Sequence, residues 1–398
     1  MTVNMLLVVN AGSSSLKVTI YTDDTSDVAL ASAAVEDITS ERARLITHVH
    51  EDGQEPETKP APSQSHSEAA QHIYEWLQAS PVIGSPITAV GYRIVHGGAV
   101  YTQPTRITDA VIEQLHELTS LAPNHMAATI QCMTIFRTAY PEATHIGCFD
   151  TSFFADIPRV AQTLPLPKDL RQEGIRRYGF HGLSYAYLLT SFRHHEGEVA
   201  AHGRVILAHL GSGASVAACK DGRPVDMSMG YTPVSGVPMA TRTGDVEPGV
   251  LLYLQQYRGM TVEEVYTLVT KQSGLLGISG KTADMYELLQ QQDTDADVAL
   301  AVEYFCYKIR QVIGGYAATL GGVDSIIFTG GIAERSAEIR ARILAGLDFL
   351  GVRLDPARNE RGDRLLSSDE STVGVHVIPA REDHTIIMQV KEVIRNQS

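Results

Sequence analysis

Four short clusters in this chain set charged or polar side chains among glycines and aromatic residues. They are Gly91-Tyr92-Arg93-Ile94-Val95-His96-Gly97-Gly98, Phe149-Asp150-Thr151-Ser152-Phe153, Arg177-Tyr178-Gly179-Phe180-His181-Gly182 and Thr241-Arg242-Thr243-Gly244-Asp245. Singly, each has a plain structural reading: an Arg beside glycines is often a surface turn, and a lone His is often a satisfied core residue. Together they hold what phosphoryl transfer needs. Cationic donors meet a spread negative charge, a carboxylate serves Mg2+, and glycines let the backbone come close. No His/Cys spacing suits zinc, so the expected metal is oxygen-ligated Mg2+.

The same chemistry is written into a strand–turn–strand that occurs twice. Residues 5–10 run into Ala11-Gly12-Ser13-Ser14-Ser15 and then 16–21. Residues 205–210 run into Gly211-Ser212-Gly213-Ala214-Ser215 and then 216–219. Apolar, β-branched runs broken by small residues predict tight hairpins. Small residues bring backbone N–H groups close to an anion, and hydroxyls add donors. Two matching turns predict two similar halves serving one phosphate chain. Other matches are weaker. Gly280-Lys281-Thr282 looks like the end of a P-loop, but five residues rather than four separate Gly274 from Gly280, and no clean strand precedes it. Gly211-Ser212-Gly213 lacks the third glycine of a dinucleotide fingerprint.

The elements that must position these residues alternate between hairpins, helices and buried strands, which predicts an α/β fold. One amphipathic helix is expected over about 109–121, with Val111, Ile112, Leu115, Leu118 and Leu121 on one face. Another runs over about 297–320 to Gly321-Gly322. A buried strand at 325–329 follows, then Gly330-Gly331, then a helix beginning near Arg335 or Ser336. Strand–Gly-Gly–helix presents a helix N-terminus to a nucleotide phosphate or ribose. Residues 51–68, rich in Pro, Ser, Gln and charge, predict a surface loop. The polar stretch 191–204 lies inside the second half. The helical pattern of 383–395 is expected to pack back on the first domain.

A length of 398 residues fits two domains of roughly 150–200 residues. The formal charge of −14 argues against nucleic acid or an anionic membrane as partner. No apolar run approaches the about 20 residues that span a bilayer. The short apolar run at the N-terminus reads as a strand, not a signal peptide. Cys132, Cys148, Cys219 and Cys306 form no C-x-x-C pair and read as reduced thiols of a cytoplasmic protein.

In order along the chain, Val9–Lys17, Arg93–Gly98, Phe149–Phe153, Tyr178–Ser184, Ser228–Pro233, Thr241–Asp245 and Phe328–Glu334 resemble the motifs of the acetate kinase (acetokinase) family. The resemblance covers essentially the whole chain. It implies two duplicated ribonuclease H-like (actin-like ATPase) α/β domains, residues 1–150 plus 384–398 and residues 151–383, with an interdomain active-site cleft. It implies a homodimer formed through the second domain. It also implies reversible, Mg2+-dependent transfer of the γ-phosphoryl group of ATP to acetate, giving acetyl phosphate and ADP, with Mn2+ able to replace Mg2+. By this resemblance Arg93, Asp150, His181 and Arg242 are catalytic. Arg93 and Arg242 would hold the carboxylate and the transferring phosphoryl group, and His181 its equatorial oxygens. Val95, Asn124, His125, Phe180 and Pro233 would contact the acyl substrate. Asn10 and Glu382 would serve the metal. Ser14 and Lys17 in the first turn and His209, Gly211, Ser212 and Gly213 in the second would meet phosphates. Asp284, Met285, Tyr286, Gly330, Gly331, Ile332 and Arg335 would surround the nucleoside.

Departures from the family pattern cluster in the pockets. Ser212 stands where the family usually has Asn, Asn124-His125-Met126 replaces Leu-His-Asn, Tyr286 replaces Arg, and Ala333-Glu334-Arg335 replaces Gly-Glu-Asn. Asn124 opens propionate or another short-chain carboxylate as the acceptor. Tyr286, Ala333 and Arg335 open a donor other than ATP, such as pyrophosphate. A non-catalytic nucleotide-binding switch on the same superfold is the reading from another class. Retention of Arg93, Asp150, His181 and Arg242 counts against it.

Overall fold

The computed structural model describes residues 4–24, 28–50, 54–80 and 84–396, apart from the side chain of Asn124. The chain forms two compact units, residues 1–153 with 381–398 and residues 154–380.

The first unit is built on β1 (Met5–Ala11), β2 (Leu16–Thr22), β3 (Ala29–Glu36), β4 (Arg44–Val49), β5 (Glu57–Pro60), β6 (Ile87–Ile94), β7 (Thr105–Arg106) and β8 (Thr144–Phe149). They form one sheet in the order β5-β4-β3-β2-β1-β6-β8-β7. β1 pairs antiparallel with β2 and parallel with β6, and β6 pairs parallel with β8. Leu6, Leu7, Val8 and Val9 are fully buried, which is why this strand reads as a continuous apolar run rather than an alternation. The last pair of the hairpin is Ala11 with Leu16. Gly12 N–H donates to Ser15 O at 2.8 Å and closes the turn. The C-terminal helix Glu382–Arg395 lies on β6 at Gly91. A Cβ there would stand 2.6 Å from Val390 Cγ2 and 2.7 Å from Ile386 Cγ2, so strand and helix meet this closely only because residue 91 has no side chain.

The second unit carries β9 (Val205–Leu210), β10 (Ala214–Lys220), β11 (Arg223–Met227), β12 (Ser325–Thr329) and β13 (Gly374–Val377). Their order is β11-β10-β9-β12-β13. β9 pairs antiparallel with β10 and parallel with β12, and β12 pairs parallel with β13. This repeats the β3-β2-β1-β6-β8 stretch of the first sheet strand for strand. The two predicted hairpins therefore occupy equivalent places in two copies of one topology. The helix Ala296–Leu320 begins at an Asp295 N-cap and ends on Gly321 in the left-handed conformation.

The structure corrects some expectations and agrees with others. Residues 54–68 are only partly a loop: Glu57–Pro60 is an edge strand, and a helix starts at His66 with Ser65 as its N-cap. An exposed edge strand is polar because it faces water, so its composition mimics a loop. Residues 51–53 lie outside the described residues. The helix expected over 109–121 is α-helical only to Glu117, and Leu118–Leu121 winds as a 3-10 turn. Pro123 drives Ala122 out of the helical region and ends it there. The polar stretch after Ser191 continues the helix Gly182–Ala201, broken locally at Gly197, where φ is 88°. Gly274–Ser279 is a short helix, so the P-loop match is no phosphate loop. All four cysteines are buried and unpaired. Among the described residues no helix is long and apolar enough to cross a membrane.

Tyr92 on β6 and His145 on β8 form a buried polar pair within the first unit. Tyr92 Oη lies 2.7 Å from His145 Nδ1, and His145 Nε2 lies 2.9 Å from Tyr140 O. A carbonyl can only accept, so Nε2 carries the hydrogen and Nδ1 accepts from the phenol. Burial lowers the pKa of His145 below its usual 6.5, the Tyr140 bond opposes this, and Arg137 and Arg106 reinforce it. The unfolded chain then takes up a proton that the folded one refuses. Stability is complete above about 6.5 and declines as pH falls below it. His66 and His376, lowered by burial as well, add in the same direction. Thermal midpoints should drop between pH 7.5 and 5.5, and His145→Gln should flatten that slope. An unchanged slope in the folded variant would remove His145 from the account.

Candidate active site

In the first unit, parallel pairing brings the ends of β6 and β8 together, with Ile94 opposite Phe149. Arg93 and Asp150 therefore meet. Arg93 Nε donates to both carboxylate oxygens at 3.1 and 3.2 Å, and Nη2 donates to Oδ2 at 2.8 Å. Arg93 Nη1 turns the other way, to Asn10 Oδ1 at 3.3 Å and to the Glu382 carboxylate at 3.0 Å. Asn10 closes the ring by donating to Glu382 at 3.4 Å. Burial works against the Arg93 charge, but Asp150, Glu382 and Asp383 outweigh it and hold its pKa above the ordinary arginine value. Burial pushes the Asp150 carboxyl up to about 6, with Arg93 pulling against it. The pair is ionised at neutral pH.

Asp383 accepts from Lys17 Nζ at 3.0 Å and Thr19 Oγ1 at 2.9 Å. Asn10, Lys17, Arg93, Asp150 and Glu382 thus stand in one group. Ser14 is exposed in the turn, and the turn is pinned by His66, whose Nε2 lies 2.9 Å from Gly12 O. Gly97 N–H donates to Thr151 Oγ1 at 3.0 Å, tying the 93–98 segment to the one that carries Asp150. Val95 is buried at the end of the same segment. His125 sits in the first turn of the helix Pro123–Ala139; the side chain of Asn124 lies outside the described residues. Asn10, Glu382 and Asp150 offer hard oxygen donors, and among the described residues no group of three or more His, Cys, Asp or Glu forms a metal cage. Mg2+ commonly takes one or two carboxylates and completes its shell with water and phosphate, so these residues fit it.

The second unit gathers another group. His181 follows buried Phe180 and caps the helix Gly182–Ala201 with φ 59°. Its ring stacks on His209 at 4.3 Å between centroids. Left-handed backbone is costly for a side chain with a Cβ. Gly213 is the floor of this group: a Cβ there would stand 2.8 Å from Arg242 Nη2 and 3.2 Å from His181 Nε2. Arg242 Nη1 donates to Pro233 O. Gly330 has φ 86°, and a Cβ on it would stand 2.7 Å from Leu210 O, while one on Gly211 would stand 3.9 Å from Gly331 N. The 211–213 and 330–331 turns therefore adjoin, with Ser212 exposed at the tip of the first.

The helix expected near Arg335 or Ser336 runs over Ala337–Leu344 with Ser336 as its N-cap, and a short helix that the sequence did not announce, Gly331–Arg335, starts directly after Gly330. The Glu334 carboxylate stabilises this start by accepting from Gly330 N–H at 2.8 Å, Ala380 N–H at 2.9 Å and Thr329 Oγ1 at 3.3 Å. Ile332 is half-buried beside it. Ala333 is fully buried. Arg335 is exposed, with Nε donating to Gly331 O at 3.2 Å. Asp284 spends one carboxylate oxygen as the N-cap of the helix Met285–Gln291, accepting from Tyr286 N–H at 2.7 Å and Glu287 N–H at 3.4 Å. Met285 is buried, and Tyr286 is 73% exposed.

Asp383, His66 and Thr151 were not among the sequence candidates. Nor were Ser184, whose Oγ lies 2.9 Å from His209 Nδ1, and Tyr185. Helical spacing from His181 places both of these on its side of the helix.

Two α/β units that repeat one strand order, each turning its central hairpin through small residues beside an arginine, define the duplicated actin-like ATPase class. The sequence matches the Acetokinase family over residues 5–388, and the chain belongs to that family. It is 40% identical over 396 residues to an acetate kinase of Methylocella silvestris, with 96% of each chain covered. The structure is similar to that of an acetate kinase of Porphyromonas gingivalis, with TM-score 0.86, 33% identity, and 98% of this chain and 100% of that one covered. It is also similar to a propionate kinase from Francisella tularensis, with TM-score 0.90, 30% identity and 97% and 98% covered.

Asp150 is 1% exposed, and removing one member of a buried ion pair strands the other. Asp150→Ala should lower the unfolding free energy by about 3–5 kcal/mol, read from urea denaturation at pH 7.5. A loss under about 1 kcal/mol, the scale of a surface pair, would mean that Arg93 is held by other groups.

Proposed function

We propose that the protein catalyses reversible transfer of the γ-phosphoryl group of ATP to acetate, giving acetyl phosphate and ADP. The observation that carries this reading is the pair of arginine centres. Arg93 is clamped by Asp150, and Arg242 stands with His181 close over Gly213, where a Cβ would collide with the guanidinium.

Acetate is ionised at pH 7, as model carboxyls near pKa 4 are, so no general base is required. A carboxylate oxygen forms a bond to the γ-phosphorus as the bond from phosphorus to the β–γ bridging oxygen breaks, and the electron pair leaves with ADP. The obstacle is the meeting of two anions. Arg93 and Arg242 bring the carboxylate and the phosphoryl group together, and His181 donates to the equatorial oxygens. Asp150 fixes the guanidinium of Arg93. Lys17, Ser14 and the turns at Gly12 and Gly211–Gly213, with Ser212 and His209, hold the phosphates. Gly330, Gly331, Ile332, Arg335, Asp284, Met285 and Tyr286 hold the nucleoside. Val95, Asn124, His125, Phe180 and Pro233 enclose the acyl group. Asn10 and Glu382 would hold Mg2+, or Mn2+ in its place, with Asp150 acting through a metal-bound water. Bound there, the metal supplies charge neutralisation on the phosphates.

A homodimer through the second unit is part of this reading. Val250, Leu252, Tyr253, Tyr257, Val262 and Tyr266 are all exposed there, and the helix Pro248–Arg258 buries no residue of its own. An apolar cluster of this kind marks an interaction surface. The buried, unpaired cysteines fit a reducing cytoplasm.

The test is a steady-state panel of acetate, propionate, butyrate and a small hydroxy acid with ATP–Mg2+, trapping acyl phosphate as the hydroxamate. Acetate should give the highest kcat/KM. A higher value for another acid would make Asn124 the specificity determinant, and no product with any acid would overturn the reading. Arg93→Ala and Arg242→Ala should each lower kcat by about 10³ or more while circular dichroism stays native. Near-normal turnover in either folded variant would be incompatible with these roles. Light scattering should give twice the monomer mass, and Tyr257→Asp should shift it toward one.

A further inference from the structure

His181 has to meet an anion with a hydrogen, and a neutral imidazole carries only one. Its Nδ1 points into the core of the second unit, 2.8 Å from Ser215 Oγ on β10. Ser215 Oγ in turn lies 2.5 Å from Tyr185 Oη. Tyr185 and Ser215 are 0% and 1% exposed, so water does not compete for these bonds. Nε2 points the opposite way, toward Gly213 and Arg242. The stacked His209 ring, itself bonded to Ser184, and the left-handed backbone at His181 restrain the imidazole from turning over.

We propose that Tyr185 and Ser215 are positioning residues that hold His181 as the tautomer with its hydrogen on Nε2. The inference rests on His181 facing the transferring phosphoryl group. The hydrogens run in one direction: Tyr185 Oη–H donates to Ser215 Oγ, and Ser215 Oγ–H donates to His181 Nδ1. Nδ1 is then an acceptor, and Nε2–H is left as a donor beside the Arg242 guanidinium. The reverse order would put the hydrogen on Nδ1 and aim a bare nitrogen lone pair at a phosphoryl oxygen, a repulsive contact where charge is developing. A hydroxyl between a phenol and an imidazole can pass the hydrogens either way, so the phenol sets the order. No proton leaves the protein in this arrangement, and the relay acts by orientation alone.

Two measurements test this. In the full-length protein labelled with 15N-histidine, the His181 signals should show Nε2 protonated and Nδ1 as a hydrogen-bond acceptor. Ser215→Ala should shift them toward a mixture. In the hydroxamate assay Ser215→Ala should lower kcat about tenfold to a hundredfold, the scale of one hydrogen bond to a charged group, with both KM values unchanged. That pattern marks an interaction made in the transition state. Ser215→Thr, which keeps the hydroxyl, should restore most of the loss, and Tyr185→Phe should fall between. A wild-type spectrum with the hydrogen on Nδ1 would overturn the proposal. So would wild-type kcat in Ser215→Ala, or no rescue by a folded Ser215→Thr. If the wild-type protein made no acyl phosphate, the functional reading would fail, and the spectrum would still report the tautomer independently.

Discussion

A largely buried guanidinium must be fixed in place by acceptors that make up for lost water. Arg93 meets this condition by dividing its nitrogens. Nε and Nη2 are committed to the buried Asp150, while Nη1 is shared between Asn10 and Glu382. The first bond set is held firmly because Arg93 lies on β6 and Asp150 directly follows β8, its parallel neighbour, with Asp150 N–H donating to Ile94 O at 2.9 Å. The second draws on a strand end and a helix start, where small adjustments are cheap. One side of the side chain is an anchor and the other an interface. The placement of β1, β6, β8 and the C-terminal helix is what makes that division available.

The second unit solves the same problem with different materials. The backbone carbonyl of Pro233 takes Nη1 of Arg242, and Gly213 lies so close beneath that a Cβ there would stand 2.8 Å from Nη2. The two hairpins are equivalent in topology, yet their turns are supported differently. His66 reaches across to a carbonyl of the first turn, whereas the second adjoins Gly330-Gly331 and is overlooked by paired imidazoles. Duplication supplied the frame, and the specialisation lies in which residues prop up each turn.

Much of this frame was legible in the residues. β-branched runs around Gly12 and Gly211 announced hairpins because both the strand propensity and the turn chemistry are local. The long helix to Leu320 was legible for the same reason, with Asp295 and Gly321 marking its ends. The edge strand Glu57–Pro60 was not, since an edge exposed on its outer side has no apolar signal to give. The helix expected near Ser336 is present, with Ser336 as its N-cap, whereas the short helix Gly331–Arg335 was missed because two glycines argue against a helix, and the Glu334 carboxylate within it bonds back to Gly330 N–H. For the site, the family motifs pointed to Arg93, Asp150, His181 and Arg242, but the partners of those residues come from tertiary pairing. Ser215 meets Tyr185 across a strand and a helix, and Lys17 meets Asp383 from the far end of the chain; neither spacing leaves a mark in a single sequence.

The C-terminal helix has a bearing on how the protein is made. It closes over Gly91 with Ile386 and Val390, and its first turn brings Glu382 to Arg93 and Asp383 to Lys17. A ribosome working from the N-terminus releases the sheet of the first unit early and this helix only after the whole of the second unit. For most of synthesis the nascent first unit must carry an apolar groove on β6 and cationic side chains without their full set of acidic partners. The second unit, continuous in sequence, has all its parts before that. The first unit is thus completed after the second, and residues synthesised beyond the second unit are the ones that seal it.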